Sequence, residues 1–384
     1  MSKSWPQTRL GEVLHLDLDR VPIDAGATYQ MVGVLSFGRG LFERKPVMNG
    51  QTSYKYFYRL SAEHAVMSQL FGWEGALALS SEKFAGRYVS PQFPTFACDT
   101  SRLDRRFLGW AMRRPTLWQD LASRTGGMGD RRRTLSPEAL FDCKIPRPSI
   151  AEQRRIVARI DTLASKINKA SAVRKEIETD EHHMLAAAFD KLIAAASFHS
   201  MKDVAPLTRR PVIVEMDRMY HELGIRSFGK GTFHKAALQA GEVGSKKLFS
   251  LNPGDLVFSN VFAWEGAVAV VKSEDHGRVG SHRFIACLPP TGVATASFLC
   301  FYFLTHEGLR KLGEASPGGA GRNRTLGLEA LSAIQVPLPS YEKQLWFDEL
   351  QAKVHALRKA QSETSAELAA LLPSILDKAF KGEL

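Results

Sequence analysis

Cysteine is scarce in this chain: four among 384 residues, Cys98, Cys143, Cys287 and Cys300. They are too few and too far apart for a disulfide framework, and no two stand as Cys-x-x-Cys to hold zinc. They read as buried thiols of a reducing compartment. Long apolar runs are also missing, since the longest, Ala296 to Leu304, is less than half the ~20 residues that a membrane span needs. Met1 to Arg9 lacks the apolar core of a secretory signal. A soluble, cytoplasmic protein with no membrane partner is expected. Signatures of catalysis are absent as well. There is no Asn-Pro-Pro-Tyr or Asp-Pro-Pro-Tyr for amino methylation, no Gly-x-Ser-x-Gly and no His-Glu-x-x-His. His182-His183 falls on the polar side of a predicted helix and reads as a solvated pair. No catalytic residue, metal or cofactor is therefore assigned to the chain.

What is present is positive charge. Lys plus Arg total 51 against 40 Asp plus Glu, a formal net charge of +11, which favours a polyanionic partner and nucleic acid first among them. The excess is clustered. Arg102, Arg105, Arg106, Arg113, Arg114, Arg124, Arg131, Arg132 and Arg133 fall in one stretch, and Arg310, Lys311, Arg322 and Arg324 in another. A solvated basic face is the plainer alternative.

The second stretch matches the first because the whole chain repeats with an offset of 191 residues. Ser36-Phe37-Gly38-Arg39-Gly40 returns as Ser227-Phe228-Gly229-Lys230-Gly231. Trp73-Glu74-Gly75-Ala76 returns as Trp264-Glu265-Gly266-Ala267, and Arg133-Thr134-Leu135 as Arg324-Thr325-Leu326. Such a period is far above the 20 to 50 residues of solenoids and propellers, so it marks a duplicated domain. Two similar surfaces on one chain suit a partner that is itself repeated along its length.

Each half divides into a mixed α/β portion and a helix. Ala76 to Leu79, Ala267 to Val271 and Leu256 to Phe258 are short apolar runs between polar turns, as buried strands are. The helical portions start sharply. Ile145-Pro146-Arg147-Pro148 must be extended, because residues before proline avoid the helical region, and Ser149 stands three before Glu152 as in a capping box. Ile156, Leu163, Ala170, Ile177 and Met184 then recur every seven residues, with Ile160 and Ile167 on the alternate step. After Val336-Pro337-Leu338-Pro339, the second copy offers Phe347, Val354, Leu368 and Ile375 with Leu350, Leu357 and Leu371, and Pro373 is expected to bend or end its helix. A seam this narrow favours two helices pairing with each other, antiparallel, over a helix packed broadly on its own domain.

Several motifs carry chemistry. Gly224 to Lys230 begins like a phosphate-cradling loop, but Gly231 stands where Ser or Thr must hold magnesium, and Arg39 replaces the lysine in the first copy. Arg39 and Lys230 are better read as loop cations that reach a nucleic-acid phosphate or a guanine edge, with a plain β-turn as the alternative. The strongest candidates for DNA contact are two glycine-rich loops. One carries Gly126 and Gly127 with Arg131, Arg132 and Arg133; the other carries Gly318 and Gly319 with Arg322, Asn323 and Arg324. Glycine lets the backbone approach closely, while arginine forks suit phosphate or guanine and asparagine suits adenine. Trp73 and Trp264 are either stacking platforms or core residues of a strand.

The two helix starts, IPRPSIAEQRRIVARID and VPLPSYEKQ, and the ending ILDKAFKGEL resemble the specificity subunit of type I restriction-modification enzymes over the full chain. The second copy departs from the first at Tyr341-Glu342-Lys343, where the first has Ile150-Ala151-Glu152. The resemblance implies an α+β architecture of two target recognition domains, residues 1–148 and 199–339, each reading one half of a bipartite double-stranded DNA site. Residues 149–198 and 340–384 would be two long antiparallel coiled-coil spacer helices. It further implies that chemistry belongs to partners: two methyltransferase subunits, which bind S-adenosylmethionine and flip adenine, and two motor-nuclease restriction subunits. The rival readings are a recognition subunit of a related phage-defence system, a stand-alone DNA-binding regulator, and a detached recognition portion with catalytic activity of its own; the missing motifs oppose the last.

Overall fold

The computed structural model describes residues 5–48, 50–125, 133–318 and 324–384. Contacts divide the chain into two units, Met1–Lys175 with Gln361–Leu384, and Glu176–Ala360. Both boundaries fall inside long helices, the central Ile150–Ile193 and the C-terminal Tyr341–Lys381. Each unit therefore owns one part of each helix.

In the first unit a four-stranded antiparallel sheet runs in the order Leu77–Leu79, Ala65–Met67, Thr95–Cys98, Leu14–Leu16. The second unit repeats that order with Val268–Val270, Leu256–Ser259, Phe284–Cys287 and Leu207–Thr208. The expected strands are thus present. A further sheet has three strands in the first unit and five in the second. The proline-rich segments are extended as expected: Lys144–Pro146 pairs antiparallel with Gln7–Arg9, and Gln335–Leu338 with Ser197–Ser200. Both are two-stranded ribbons, where a proline lacking its N–H is tolerated.

Each helix starts where the sequence places it. The Glu152 N–H donates to Ser149 Oγ at 3.3 Å, and the Gln153 N–H to the Ser149 carbonyl at 2.9 Å. One turn in, a fully buried glutamine ties helix to domain. Gln153 accepts from the Asp104 N–H (2.7 Å) and donates to the carbonyls of Pro148 (2.9 Å) and Arg102 (3.2 Å). Gln344 makes the equivalent bonds to Thr295 (3.0 Å), Pro339 (2.9 Å) and Val293 (3.1 Å).

Within each unit the helix segments run antiparallel. In the first, Arg155 donates to the Leu384 carbonyl, while Arg174 donates to Thr364 and Ser365. In the second, Arg358 meets Glu181 and the ring of Phe189 lies 5.4 Å from that of Phe347. The buried positions differ from a simple heptad seam. Ile156, Ile160, Phe347 and Val354 are buried as expected, but Ala170, Ile177, Met184, Leu357 and Leu371 are exposed. Val157, Ala164, Leu185 and Phe189 are buried in addition. The reason lies in the domain cores. Ile156, Val157 and Ile160 share the first core with Phe107, Leu376 and Phe380, and Leu185 and Phe189 share the second with Phe298, Tyr302 and Phe347. Burial there follows a three-way contact of two helices and a domain, whereas Arg174, Thr364, Glu181 and Arg358 make the polar cross-helix contacts farther along. Pro373 does not end its helix, which runs on to Lys381 and stops at Gly382 with φ +79°. Ala369 and Pro373 are both exposed, so water can serve the carbonyl that the proline leaves without a donor.

Candidate nucleic-acid interface

The repeated motifs converge in each unit. In the first, Ser36 to Arg39 link the strands Val32–Leu35 and Gly40–Glu43, and the loop lies against a turn built on Gly72–Glu74. The Phe37 N–H donates to the Glu74 carbonyl (2.8 Å), the Gly38 N–H to the Gly75 carbonyl (2.9 Å), and Ser36 Oγ to the Glu74 carboxylate (3.2 Å). The second unit repeats all three: Phe228 to Glu265 (2.8 Å), Gly229 to Gly266 (3.0 Å), Ser227 to the Glu265 carboxylate (3.1 Å). Gly75 has no substitute, because its φ is +80° and a Cβ there would fall 2.4 Å from the Trp118 ring. Phe37 and Phe228 each hold φ +63°, a left-handed conformation that costs a bulky residue about 1–3 kcal/mol. Both rings are exposed.

Trp73 and Trp264 lie on these turns, ahead of the strands, and are half-buried, so the placement in a strand is corrected, while Trp73 does pack against the first core. A Trp at such a position keeps one ring edge in the domain while its indole N–H is satisfied locally, by Leu70 O at 2.9 Å and by Val261 O at 3.0 Å. The Arg133 guanidinium stands 5.4 Å from the Trp73 ring centre, and that of Arg324 stands 5.1 Å from Trp264. Two residues on, the Leu135 N–H donates to Gln69 O (2.8 Å) and the Leu326 N–H to Asn260 O (2.7 Å), so the chain leaving each glycine-rich loop is anchored beside its Trp. Arg39 and Lys230 are exposed, 5.9 and 6.0 Å from the rings of Phe37 and Phe228. Gly318 is exposed at the start of the second glycine-rich loop. Gly126, Gly127, Arg131, Arg132, Gly319, Arg322 and Asn323 lie outside the described residues.

The arginine-rich stretch of the first half is not a free basic face over its described part. Arg105 pairs with Glu63, Arg106 with Asp161, Arg102 with Glu12 and Arg124 with Asp120. Arg113 and Arg114 lie over the rings of Trp110 and Phe380 at 4.5 and 4.6 Å, and burial lowers the pKa of both. In the second half, Arg310 and Lys311 pair with Glu314 and Glu307. Charge density in the sequence thus overstates the cation surface of these segments. Burial also holds the thiols in their protonated form, pushing Cys98 up to about 11 and Cys143 and Cys287 up to about 12. Such thiols are poor nucleophiles.

Sequence reasoning passed over Phe37 and Phe228. The available signal was a large aromatic residue held inside a repeated Ser-x-Gly turn, where glycine or asparagine would be at ease.

No known sequence family matches the chain, nor does any curated protein. Solved structures do. One, from work on complex assembly and conformational transition of the type I restriction-modification system, is 20% identical over 100% of this chain and 99% of that one, with TM-score 0.72. The HsdS subunit of Thermoanaerobacter tengcongensis is 20% identical over 100% and 98%, with TM-score 0.57. Among the described residues no helix is long and apolar enough to cross a membrane. The chain has the two-domain, two-helix fold of type I restriction-modification specificity subunits.

Proposed function

We propose that this chain is the DNA-reading subunit of a type I restriction-modification complex. Residues 1–148 and 199–339 are its recognition domains, each taking one half of a bipartite duplex site, while 149–198 and 340–384 set the gap between them. The chain makes and breaks no bonds itself. It works in the cytoplasm, and two methyltransferase subunits and two motor-nuclease subunits act on the DNA it selects. The observation carrying this reading is the duplicated constellation of loop cation, exposed Phe, and Arg over Trp on both units. Arg133 and Arg324 present planar guanidinium groups at the ends of the glycine-rich loops, suited to a phosphate or a guanine edge, and Arg39 and Lys230 supply phosphate contacts. Gly126, Gly127, Arg131 and Arg132 in one loop, and Gly318, Gly319, Arg322 and Asn323 in the other, belong to the same proposed surface.

The test is co-expression of the chain with the methyltransferase and motor-nuclease subunits, followed by mapping of methylated adenines. A split site with a fixed gap is expected, lost when the chain is omitted. The purified chain alone is expected to bind duplex DNA with affinity falling by about 0.9 log units per log unit of salt for each neutralised phosphate. Methyl transfer by the chain without partners, or a single undivided site, would overturn the proposal.

A further inference from the structure

Neither Phe37 nor Phe228 belongs to a buried core, although the Phe37 ring stands edge-on to Trp118 with 6.3 Å between the ring centres. The two residues are 61% and 74% exposed, although each sits on a loop fixed to the domain by three hydrogen bonds. The backbone of each is left-handed, at φ +63°, a conformation glycine or asparagine adopts with less strain. The loop is also supported from behind. A Cβ on Gly38 would press on Arg113 and Trp118 at 3.0–3.1 Å, and one on Gly229 on Leu304 at 2.9 Å. Both copies therefore hold a largely exposed apolar residue, at the cost of backbone strain, on a rigid mount. Beside each ring stands a cation, Arg39 or Lys230, about 6 Å from the ring centre. An apolar ring next to a phosphate-binding cation suits a duplex partner: the cation holds the backbone and the ring enters at a base step, as apolar wedges do when they unstack and kink DNA.

We propose that Phe37 and Phe228 are aromatic wedges, one for each half-site, that insert at a base step while Arg39 and Lys230 hold a flanking phosphate. The proposal rests on the DNA-reading function argued above and adds the residues that deform the duplex. It makes the two domains depend on their own Phe separately. Removing one ring impairs one half-site and leaves the other intact.

The full-length chain, wild type and as Phe37→Gly, Phe228→Gly and Phe37→Asn, is incubated with a randomised duplex library, and the bound fraction is sequenced. Duplexes of the selected sequence carrying 2-aminopurine at each position then report unstacking by fluorescence. The expected result has three parts: selection weakens about tenfold at one half-site per glycine variant, the wild type brightens 2-aminopurine at one step in each half-site, and thermal stability is unchanged or raised because glycine relieves the strain. The asparagine variant keeps the left-handed loop and should lose selection in the same way. If the wild type selects a split site and the variants select it equally, or no step brightens, the wedge is overturned while DNA reading stands. If the variants unfold at lower temperature instead, the rings serve the fold and the proposal fails. A wild-type chain that selects no sequence overturns both.

Discussion

The Nε of Arg358 donates to the Glu181 carboxylate at 2.9 Å, joining the C-terminal helix to the central helix within the second unit. Glu181 is 7% exposed, so little water reaches its carboxylate to take the place of this partner. Arg358→Ala should destabilise the protein by about 2–3 kcal/mol, somewhat below the 3–5 typical of a broken buried pair because Arg358 reaches solvent. Replacing both residues with leucine should recover most of the loss, since no uncompensated charge then remains. Urea denaturation of the two variants checks this. A double variant no more stable than Arg358→Ala would show that the pair contributes more than charge neutralisation.

Gln153 and Gln344 should be equally intolerant of change. Gln153→Leu would leave the Asp104 N–H and the Pro148 carbonyl without their partner, and Gln344→Leu does the same to Thr295 and Pro339. Each orphaned buried group costs about 1–3 kcal/mol, so a loss of roughly 2–4 kcal/mol per variant is expected. The two residues belong to different units. Their losses should add to within about 0.5 kcal/mol when both are changed, as calorimetry of the double variant would register.

Much of this architecture is legible in the sequence because the repeat and proline chemistry are local signals. The 191-residue offset anticipates the matching sheets, and Pro146-Arg147-Pro148 with Ser149 anticipates the start of the central helix. What the sequence conceals is set by distant partners. Leu357 and Phe347 occupy similar places in an apolar pattern, yet Leu357 is half exposed while Phe347 is buried among Phe298, Phe301 and Phe189. Arg105 and Arg106 look like a basic patch until Glu63 and Asp161, 42 and 55 residues away in the chain, are found beside them. The candidate interface was half legible. Its cations announce themselves by type and repetition, whereas the exposure of Phe37 follows from a left-handed backbone that composition does not reveal.

Asp348 gives the second unit a pH dependence. Burial is the main cause that pushes its carboxyl up to about 6, with the Thr295 hydroxyl acting in the opposite direction. The folded form therefore binds a proton that the unfolded form has already released. Stability from this group is fully present below the ordinary carboxylate range near 4 and is lost as pH rises through about 6. Asp348→Asn should remove that slope and raise stability at pH 7, on the order of 1 kcal/mol once partial exposure is allowed for. Thermal melts of both forms from pH 4 to 8 test it, and parallel curves would rule it out.

The helices should act as a ruler for the DNA gap. Arg174 faces Thr364 and Ser365, so the antiparallel register places Lys169 opposite the region of Ala369. Four residues inserted after Lys169 and four more after Ala369 would keep the facing side chains in step. The change adds roughly 6 Å at 1.5 Å per residue and enters the pattern as a stutter, which helix pairs absorb by local unwinding. Set against ~3.4 Å per base pair, that is one to two base pairs of gap. Each added pair also turns the duplex by about 35°, given some 10.5 pairs per turn, so longer insertions should fail unless the DNA twists or bends. The expected outcome is a gap longer by one or two base pairs with both half-sites unchanged, read from methylated adenines in cells that carry the variant and its partner subunits. If methylation persists at the original spacing, the helices only connect the domains and do not measure the DNA between them.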